Sequence, residues 1–480
     1  MSPARSATLT ALVFVVVLLG IDMFVALAHP DLHGDTAGLT RGAQGVVDCL
    51  SNHRFTRCDT VAHGPKYVGQ WPLMQYIPAT ALRAVGASQD FTLRVLVFVE
   101  ALAVDATVVL AWFVVRRTAS AMWALVIVAS LLASPLLWYE TSAFGEALAA
   151  FVVLLAICAV LRNAQPWIIA VLIAAACITK ETSPPFVFVL AVLCVLACVE
   201  AAHRRRAIIA IAVGAVVGYA LNSAFNLFRY GKISNSNYTR SLLRVPDRRT
   251  AARFFGAVWA SPSGGLFWYW TAAVVIVAFV ALVSLWRALS TRRMSWQFAA
   301  GPLIAIMLVV EVGGLAQWYS PFGWIAWGPR LTLPLMPAML VAAAACSQTI
   351  TTEPLRRFLR SAWFWLVTAV LTVLAIPQAS VLFQRHVLED FFAPTGVCVR
   401  AHINESVARY YRCVDYLMWH KRPLLLQDGL GGLKTVGGWL ATVALAGAIV
   451  SLLVAARSYA SRPHCAGVDD RLDAMEIPTS

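Results

Sequence analysis

Residues 101–140 read ALAVDATVVLAWFVVRRTASAMWALVIVASLLASPLLWYE and belong to two apolar runs, 91–115 and 119–139, with Arg116 and Arg117 in the short turn between them. Each run reaches the ~20 residues that a helix needs to cross the hydrocarbon core of a bilayer. A pair of arginines between two such runs is typical of a cytoplasmic turn. The stretch therefore predicts two membrane-spanning helices joined on the cytoplasmic side.

The composition of the whole chain extends this inference. Of the 480 residues, 60% are hydrophobic and only 13% are charged, and the mean hydropathy is +0.72. A soluble domain carries roughly twice that share of charged residues, so lipid is the natural solvent for this much apolar surface. We expect a single transmembrane domain, 1–457, followed by a cytoplasmic tail, 458–480, whose acidic composition is typical of a disordered end.

Hydrophobic runs of spanning length recur along the chain. They cover residues 7–28, 91–115, 119–139, 143–161, 166–180, 184–200, 207–228, 266–286, 298–316, 325–349, 361–381 and 433–456. The sequence thus predicts an all-α polytopic membrane protein with about twelve transmembrane helices.

Arginines are distributed unevenly over the turns between these runs. With the N-terminus inside, every cytoplasmic turn carries arginine, whereas the short outer turns 139–145 and 317–324 carry neither lysine nor arginine. This asymmetry predicts a plasma-membrane protein with both termini in the cytoplasm. The long loops 29–90, 229–265 and 382–432 then lie outside. Because these arginine clusters account for the net charge of +14, we expect membrane lipids and no nucleic acid as partners.

The cysteines agree with this orientation. Cys49 and Cys58 lie in the first long loop, and Cys398 and Cys413 lie in the last. Two pairs in an oxidising compartment predict two local disulfides. The cysteines of the predicted helices are interpreted as small apolar residues. No Cys/His spacing indicates a structural zinc site.

Acidic residues at the outer membrane face are the first candidates for chemistry. Around the outer turns lie Asp31, Asp35, Glu140, Glu146 and the basic Lys180. Although they are distant in sequence, they can converge on one cavity, where a carboxylate could act as a general base or metal ligand and a lysine could hold a phosphate. The alternative is that these loop residues are merely solvated.

A second acidic set lies inside the predicted helices. Its members are Asp22, Glu100, Asp105 and Glu311. Each costs ~2.5–3.5 kcal/mol at the centre of a membrane helix, so each needs a partner or contact with water. Interhelical salt bridges are the simple alternative to a functional role.

Positive charge is concentrated in residues 229–253. This stretch carries seven lysines and arginines against Asp247 alone, a net 7 − 1 = +6. A phosphate-bearing substrate or anionic lipid headgroups would explain it, as would a loop that simply lies on the headgroups. Farther along, Arg330 stands at the outer face, where its planar guanidinium suits a phosphate, although a lone arginine there can also snorkel.

Four short motifs resemble the GT-C superfamily of membrane glycosyltransferases. They are the acidic opening of the first outer loop (Asp31, Asp35), the acidic second turn (Glu140, Glu146), residues 178–185 (ITKETSPP) and residues 328–337 (GPRLTLPLMP). The last two resemble the Leu-Thr-Lys…Pro and Arg-Tyr-x-x-Pro-x-x-Pro elements of the protein-mannosyltransferase-like and aminoarabinose-transferase-like branch. Leu331 stands where that branch has tyrosine, and Glu181 where it has glycine, which leaves the donor sugar open.

The resemblance implies an inverting transfer of a sugar from a polyprenyl-phosphate donor to a glycan, lipid or protein acceptor of the cell envelope. The implied site residues are a catalytic base (Asp35, with Asp31 in reserve), donor-phosphate ligands (Lys180, Arg330) and supporting acids or metal ligands (Glu140, Glu146). The motifs require no cofactor, and a divalent Mg²⁺ or Mn²⁺ ion is compatible with them.

Other classes of membrane protein have the same sequence features. Twelve helices with buried acids also describe a secondary transporter, and a lipid flippase or a non-catalytic assembly protein has the same pattern. Transporters bind substrate near the membrane midplane through broken helices, whereas the candidate polar residues here crowd the outer face below long loops. For Asp35, the alternative to catalysis is a role as N-cap of a helical stretch over residues 36–47.

Overall fold

A computed structural model describes most of the chain. The described residues are 3–28, 35–56, 58, 72–180, 182–234, 245, 247–292, 295–318, 321–322, 327–383, 398, 407–420 and 429–461. Within these ranges every regular element is a helix. The chain is an all-α polytopic membrane protein, as the apolar runs predicted.

The helices follow one another with short turns in most places. In chain order they are α1 (Pro3–Ala28), α2 (Asp35–Ser51), α3 (Leu73–Ala84), α4 (Gln89–Thr118), α5 (Ala121–Leu132), α6 (Glu146–Leu161), α7 (Pro166–Cys177), α8 (Pro184–Cys198), α9 (Ala201–Tyr230), α10 (Arg248–Ala260), α11 (Leu266–Tyr269), α12 (Thr271–Thr291), α13 (Trp296–Leu315), α14 (Met336–Cys346), α15 (Gln348–Arg360), α16 (Trp363–Ser380), α17 (Val407–His420) and α18 (Val436–Ala460). Short 3-10 helices cover Pro135–Thr141, Arg330–Thr332, Val381–Phe383 and Gly431–Lys434.

The apolar helices differ in length. In the described part of the chain, seven are long and apolar enough to cross a membrane, namely α1, α4, α9, α12, α13, α16 and α18. The helix α5 and the 3-10 helix after it form an eighth candidate, bent by 55°. The apolar helices α6, α7, α8 and α14 have only 11 to 16 residues. Each predicted run therefore contains a helix, but these four fall short of the ~20 residues of a full span, and the count of about twelve transmembrane helices stays a prediction.

The short helices begin or end early for local reasons. Gly145 precedes α6 with φ at 82°, a backbone conformation that favours glycine and ends regular structure. Prolines stand in the first turns of α7, α8 and α14, where their missing N–H is not needed. The turn between α7 and α8 carries the charged Lys180. One end of each short helix lies where Glu146, Lys180 and Arg330 meet, and we call this the site end of the bundle.

Small residues let two of these helices pack closely. Gly214 of α9 faces Ala170 of α7, and Gly218 faces Cys177, so that a Cβ on either glycine would overlap the neighbouring helix. Asn222 donates a hydrogen bond from Nδ2 to the carbonyl oxygen of Cys177 at 2.8 Å. Close approach through small residues is typical of helices in membranes. Because the contacts advance together along both helices, α7 and α9 run parallel.

The last helix closes the bundle. It packs along α1, where Gly447 of α18 lies against the Phe14 ring. At the end opposite to the site, Arg360 donates from Nε to the carbonyl oxygen of Ala460 at 2.7 Å. Arg457 donates from Nη1 to the carbonyl oxygen of Leu359 at 2.8 Å. These arginines satisfy carbonyl groups that a helix end leaves without an intrahelical partner.

Amphipathic helices occupy the long loops. The first loop contains α2 and α3, the second contains α10, and the third contains α17. Disulfides join Cys49 with Cys58 and Cys398 with Cys413, the partners that the sequence predicted. Such cross-links stabilise short loops chiefly by restricting the unfolded chain.

The second and third loops pack on each other. Arg253 of α10 forms an ion pair with Asp415 of α17, with 2.6 Å between Nη2 and Oδ2. Ser261 donates from Oγ to the carbonyl oxygen of Met418 at 2.6 Å. Asp247 accepts a hydrogen bond from the backbone N–H of Thr250 at 2.8 Å as N-cap of α10, and this bond lowers the pKa of the Asp247 carboxyl. The two loops therefore form one layer.

The site end is expected outside the membrane and the opposite end inside, because the turn arginines gather at the opposite end. Tyr416 on α17 is 60% exposed, and the Arg357 side chain on α15 is 77% exposed. A membrane-impermeant maleimide should label Tyr416→Cys in intact cells, and Arg357→Cys only after permeabilisation. The unsubstituted protein gives the background from native thiols. Labelling of Arg357→Cys in intact cells would contradict this orientation.

Candidate active site

Three charged side chains from distant parts of the sequence meet at the site end. Glu146 Oε1 accepts a hydrogen bond from Arg330 Nε at 2.8 Å and another from Lys180 Nζ. The Glu146 side chain is fully buried, whereas the Arg330 and Lys180 side chains are 8% and 17% exposed. The fold thus brings together both residues predicted to bind phosphate and one of the predicted acids. We call these three side chains the ion cluster.

Two other helices hold Glu146 in place at the start of α6. Gly145 packs so closely on Gln75 of α3 that a Cβ would overlap the Gln75 amide. Glu100 of α4 accepts a hydrogen bond through Oε2 from the backbone N–H of Leu148 at 2.9 Å. A carboxylate at a helix N-terminus satisfies a free N–H and interacts favourably with the helix dipole. Gln75 and Glu100 therefore fix the beginning of α6 and the Glu146 carboxylate with it.

Lys180 is held by the turn that ends α7. Thr179 donates from Oγ1 to the carbonyl oxygen of Ala176 at 2.7 Å, which closes the last turn. The carbonyl oxygen of Ile178 accepts a hydrogen bond from the backbone N–H of Met74 at 3.2 Å. Met74 is the neighbour of Gln75 in the sequence. Consecutive residues of α3 therefore support both the segment that carries Glu146 and the segment that carries Lys180.

Arg330 lies in the 3-10 turn that precedes α14. Its guanidinium covers the Phe144 ring, with Cζ 4.2 Å from the ring centroid, a contact in which the ring quadrupole attracts the cation. Gly328, with φ at 73°, turns the chain just before it. The Tyr139 hydroxyl donates to the carbonyl oxygen of Trp327 at 3.1 Å. Because Phe144 and Tyr139 belong to the turn that leads into Glu146, this turn orients the guanidinium toward the carboxylate.

The ion cluster has unused capacity for an anion. It contains two cations and one carboxylate in direct contact, a net 2 − 1 = +1. Lys180 is the most exposed of the three, so a ligand arriving from the loops meets the ammonium group first. Anions are bound strongly by such charges where water is scarce.

Glu140 does not join the ion cluster. Its carboxylate is fully buried and lies within electrostatic range of Asp22 on α1 and Asp105 on α4. In the described part of the chain, no hydrogen-bond partner reaches either oxygen of Glu140 or of Asp22. The side chains of Glu140 and Glu146 have different neighbours because the 3-10 helix ends between them and the chain turns at Gly145.

The fold gives no support to a metal site at these residues. Over the described ranges, no group of three or more His, Cys, Asp or Glu side chains has an arrangement that could hold a metal ion. Glu146 faces two cations, and Glu140 faces two acids. Glu146 pairs with Lys180 and Arg330, and the supporting role of the two glutamates stays a prediction.

The predicted bases lie at the edge of the described structure. Asp31 falls outside the described residues, and Asp35 is the first residue of α2. Residues 36–47, which Asp35 was expected to cap, are helical. On the same helix, Gly42 faces Tyr76 of α3 so closely that a Cβ would press on the tyrosine hydroxyl. The helix that begins at Asp35 therefore packs on α3, which itself supports the ion cluster.

Two supporting residues were missed by sequence reasoning. Phe144, under the Arg330 guanidinium, and Gln75, against Gly145, were not singled out. Glu100 was noted as an intramembrane acid, and its partner is a backbone N–H instead of a basic side chain. The sequence around Glu100 could not predict the hydrogen bond with the start of α6, because that contact depends on how α4 packs against α6.

Comparison with known proteins found matches among solved structures only: no protein-family model matches the chain, and no curated protein matches it. Two crystal structures are similar to it. Both are ArnT from Cupriavidus metallidurans. The structure of ArnT bound to undecaprenyl phosphate matches over 92% of this chain and 77% of ArnT, with 14% identity and a TM-score of 0.42. The apo structure matches over 95% and 78%, with 15% identity and a TM-score of 0.43.

Glu146→Gln should destabilise the protein, because it leaves two buried cations facing an amide that cannot neutralise them. Breaking a buried ion pair in this way costs about 3 kcal/mol or more. Glu353→Gln is the matched control, since Glu353 is 48% exposed and pairs with arginines on the surface of α15; such pairs contribute less than about 1 kcal/mol. Thermal unfolding of the purified protein in detergent measures both losses. Equal losses would contradict the role of burial.

Proposed function

We propose that this chain is a membrane glycosyltransferase that moves a sugar from a polyprenyl-phosphate donor to an acceptor hydroxyl of the cell envelope, on the extracytoplasmic side. The observation that carries the proposal is the meeting of Lys180 and Arg330 at Glu146. These cations are the two that the GT-C-like motifs name as ligands of the donor phosphate. They lie 330 − 180 = 150 residues apart in the sequence, and their meeting supports a shared ligand.

The depth of the ion cluster favours a ligand with a lipid tail. Helices of 11 to 16 residues are about 17–24 Å long at 1.5 Å per residue, against about 30 Å of hydrocarbon core. Since each short helix has one end at the cluster and falls short of a full span, the charges lie below the outer boundary of the hydrocarbon region. A polyprenyl chain could stay in the membrane there while its phosphate contacts Lys180.

Both cations suit a departing phosphate. When the bond between the anomeric carbon and the phosphate oxygen breaks, both bonding electrons stay with that oxygen, and the lipid phosphate gains one negative charge. Preorganised cations that face a developing charge are among the strongest catalytic contributions. Arg330 offers a planar fork of donors and Lys180 a compact charge. Glu146 would keep both cations in position before the donor arrives.

Asp35 is the proposed catalytic base, with Asp31 in reserve. The base takes the proton of the acceptor hydroxyl while the hydroxyl oxygen attacks the anomeric carbon from the side opposite to the phosphate, which inverts the configuration. Base catalysis of this kind contributes typically ~10²–10⁴-fold. The packing of α2 on α3 supports a base near the ion cluster, because Met74 and Gln75 of α3 contact the segments of Lys180 and Glu146.

Removal of either cation should reduce donor use. Profiling the envelope glycolipids and glycans of a deletion strain identifies the missing sugar, and complementation measures transfer by variants. Lys180→Ala and Arg330→Ala should each lower transfer by about 10²-fold or more. Arg330→Lys should also be impaired, because an ammonium group cannot reproduce the planar fork.

The control for these variants is Arg94→Ala, which removes a 51% exposed side chain of α4 that pairs with Asp90. It should restore wild-type transfer. Each variant protein must also be present in the membrane at the wild-type amount. Full complementation by the Lys180 and Arg330 variants would contradict the proposed function.

Asp35→Asn separates a catalytic base from a helix cap, since asparagine caps nearly as well as aspartate but cannot accept the proton. We expect normal insertion and a loss of transfer of about 10²-fold or more. Asp48→Asn is the control on the same helix, because Asp48 is exposed and accepts a hydrogen bond from Gln44 only four residues away. Wild-type transfer by Asp35→Asn would assign the base elsewhere, and Asp31→Asn would be examined next.

A further inference from the structure

Three thiols from two helices form a group at the end of the bundle opposite to the ion cluster. Cys194 and Cys198 lie in the last turns of α8, and Cys346 is the last residue of α14. The Cys198 and Cys346 sulfur atoms are 3.1 Å apart, and those of Cys346 and Cys194 are 3.8 Å apart. All three cysteines are free thiols. Because a disulfide has a sulfur–sulfur distance of ~2.05 Å, Cys198 and Cys346 are about 1 Å from bonding.

One member of this group can be reached from solvent. Cys198 is exposed, whereas Cys194 and Cys346 are buried. Cys198 also lines a cavity of about 520 Å³, together with Arg117, Arg162 and other residues of the adjoining turns. A small oxidant that enters this cavity meets the Cys198 sulfur first, and the Cys346 sulfur lies 3.1 Å from it.

We propose that Cys198 and Cys346 are a modification site, at which a peroxide or a small disulfide oxidant closes a reversible cross-link between α8 and α14. The two thiols lose two protons and two electrons as the sulfur–sulfur bond forms. Hydrogen peroxide takes them up and becomes two water molecules, whereas a small disulfide takes them up and becomes two thiols. Cys194 is close enough to Cys346 to exchange into the bond afterwards. Under the predicted orientation this end faces the cytoplasm, where thiols are kept reduced, so the cross-link forms only under oxidising conditions.

The cross-link would act on the ion cluster through the two helices that it joins, and this part rests on the proposed function. The helix α8 begins four residues after Lys180, and α14 begins six residues after Arg330. A bond between the far ends of these helices fixes their relative position. Small displacements of catalytic groups have large effects on rate, about 10²-fold for 1 Å. Oxidation is therefore expected to change how the two cations meet the donor phosphate.

Mass spectrometry of the full-length wild-type protein tests the cross-link without any variant. The protein in detergent is treated with hydrogen peroxide or diamide, free thiols are blocked, and peptides are analysed without reduction. We expect a peptide pair that joins Cys198 to Cys346 and disappears after reduction. Cys198 found only as a free thiol or as a single-site adduct, with Cys346 unchanged, would overturn the proposal.

Variants show which sulfur atoms take part. Cys198→Ser and Cys346→Ser should abolish the cross-link, whereas Cys194→Ser should retain it. Cys158→Ser is the matched control, because Cys158 is a buried free thiol of α6 outside the group, and it should behave as wild type. A cross-link that persists in Cys198→Ser would show that a different pair reacts.

Transfer measured before and after oxidation tests the effect on the ion cluster. In wild type we expect a loss of about tenfold or more that is reversed by reductant, and no loss in Cys198→Ser. An unchanged rate in fully cross-linked protein would overturn the coupling. Because the peptide analysis needs no activity, failure of the proposed function and failure of the cross-link are distinguished.

Discussion

The buried contact of Glu146 with Lys180 and Arg330 is the interaction on which the rest of the structure depends. A carboxylate with no exposure in an apolar bundle is costly unless a cation faces it, and the same holds for the cations. Each charge offsets the free-energy cost of burying the other two. The start of α6, the turn after α7 and the turn before α14 therefore cannot separate without leaving an unpaired charge in an apolar environment.

This constraint accounts for the lengths of the neighbouring helices. An apolar helix that continued through the cluster would replace its polar ends by side chains that cannot pair, so α6, α7, α8 and α14 begin or end there. The helices α1 and α18, which contribute no residue to the cluster, have the length of a full span. Support comes from outside the short helices: α3 contacts the segments of Glu146 and Lys180 through adjacent residues, and Glu100 of α4 caps α6. The active site that we propose is therefore part of the framework of the bundle.

The two ends of the short helices have different chemistry. At the site end, charged groups meet in a buried cluster that is nearly balanced, whereas at the opposite end α8 and α14 bring three thiols together beside arginine-containing turns. A helix transmits a displacement along its axis with little loss because its backbone hydrogen bonds make it stiff. Under the proposal, a cross-link between Cys198 and Cys346 therefore changes the positions of Lys180 and Arg330 through α8 and α14.

The sequence alone determined the properties that reside in single segments, namely the apolar runs that become helices and the cysteine pairs of the long loops. These depend on composition and on neighbours a few residues away. Only the tertiary structure decided that Glu146 joins Lys180 and Arg330 while Glu140 turns toward Asp22 and Asp105. The backbone conformation at Gly145 and the packing of α3 and α4 separate the two glutamates. Contacts between residues that are far apart in the sequence leave no periodic pattern in that sequence. The partners of two charged residues that are close in the sequence, such as Glu140 and Glu146, can therefore be assigned only from the packing of the surrounding helices.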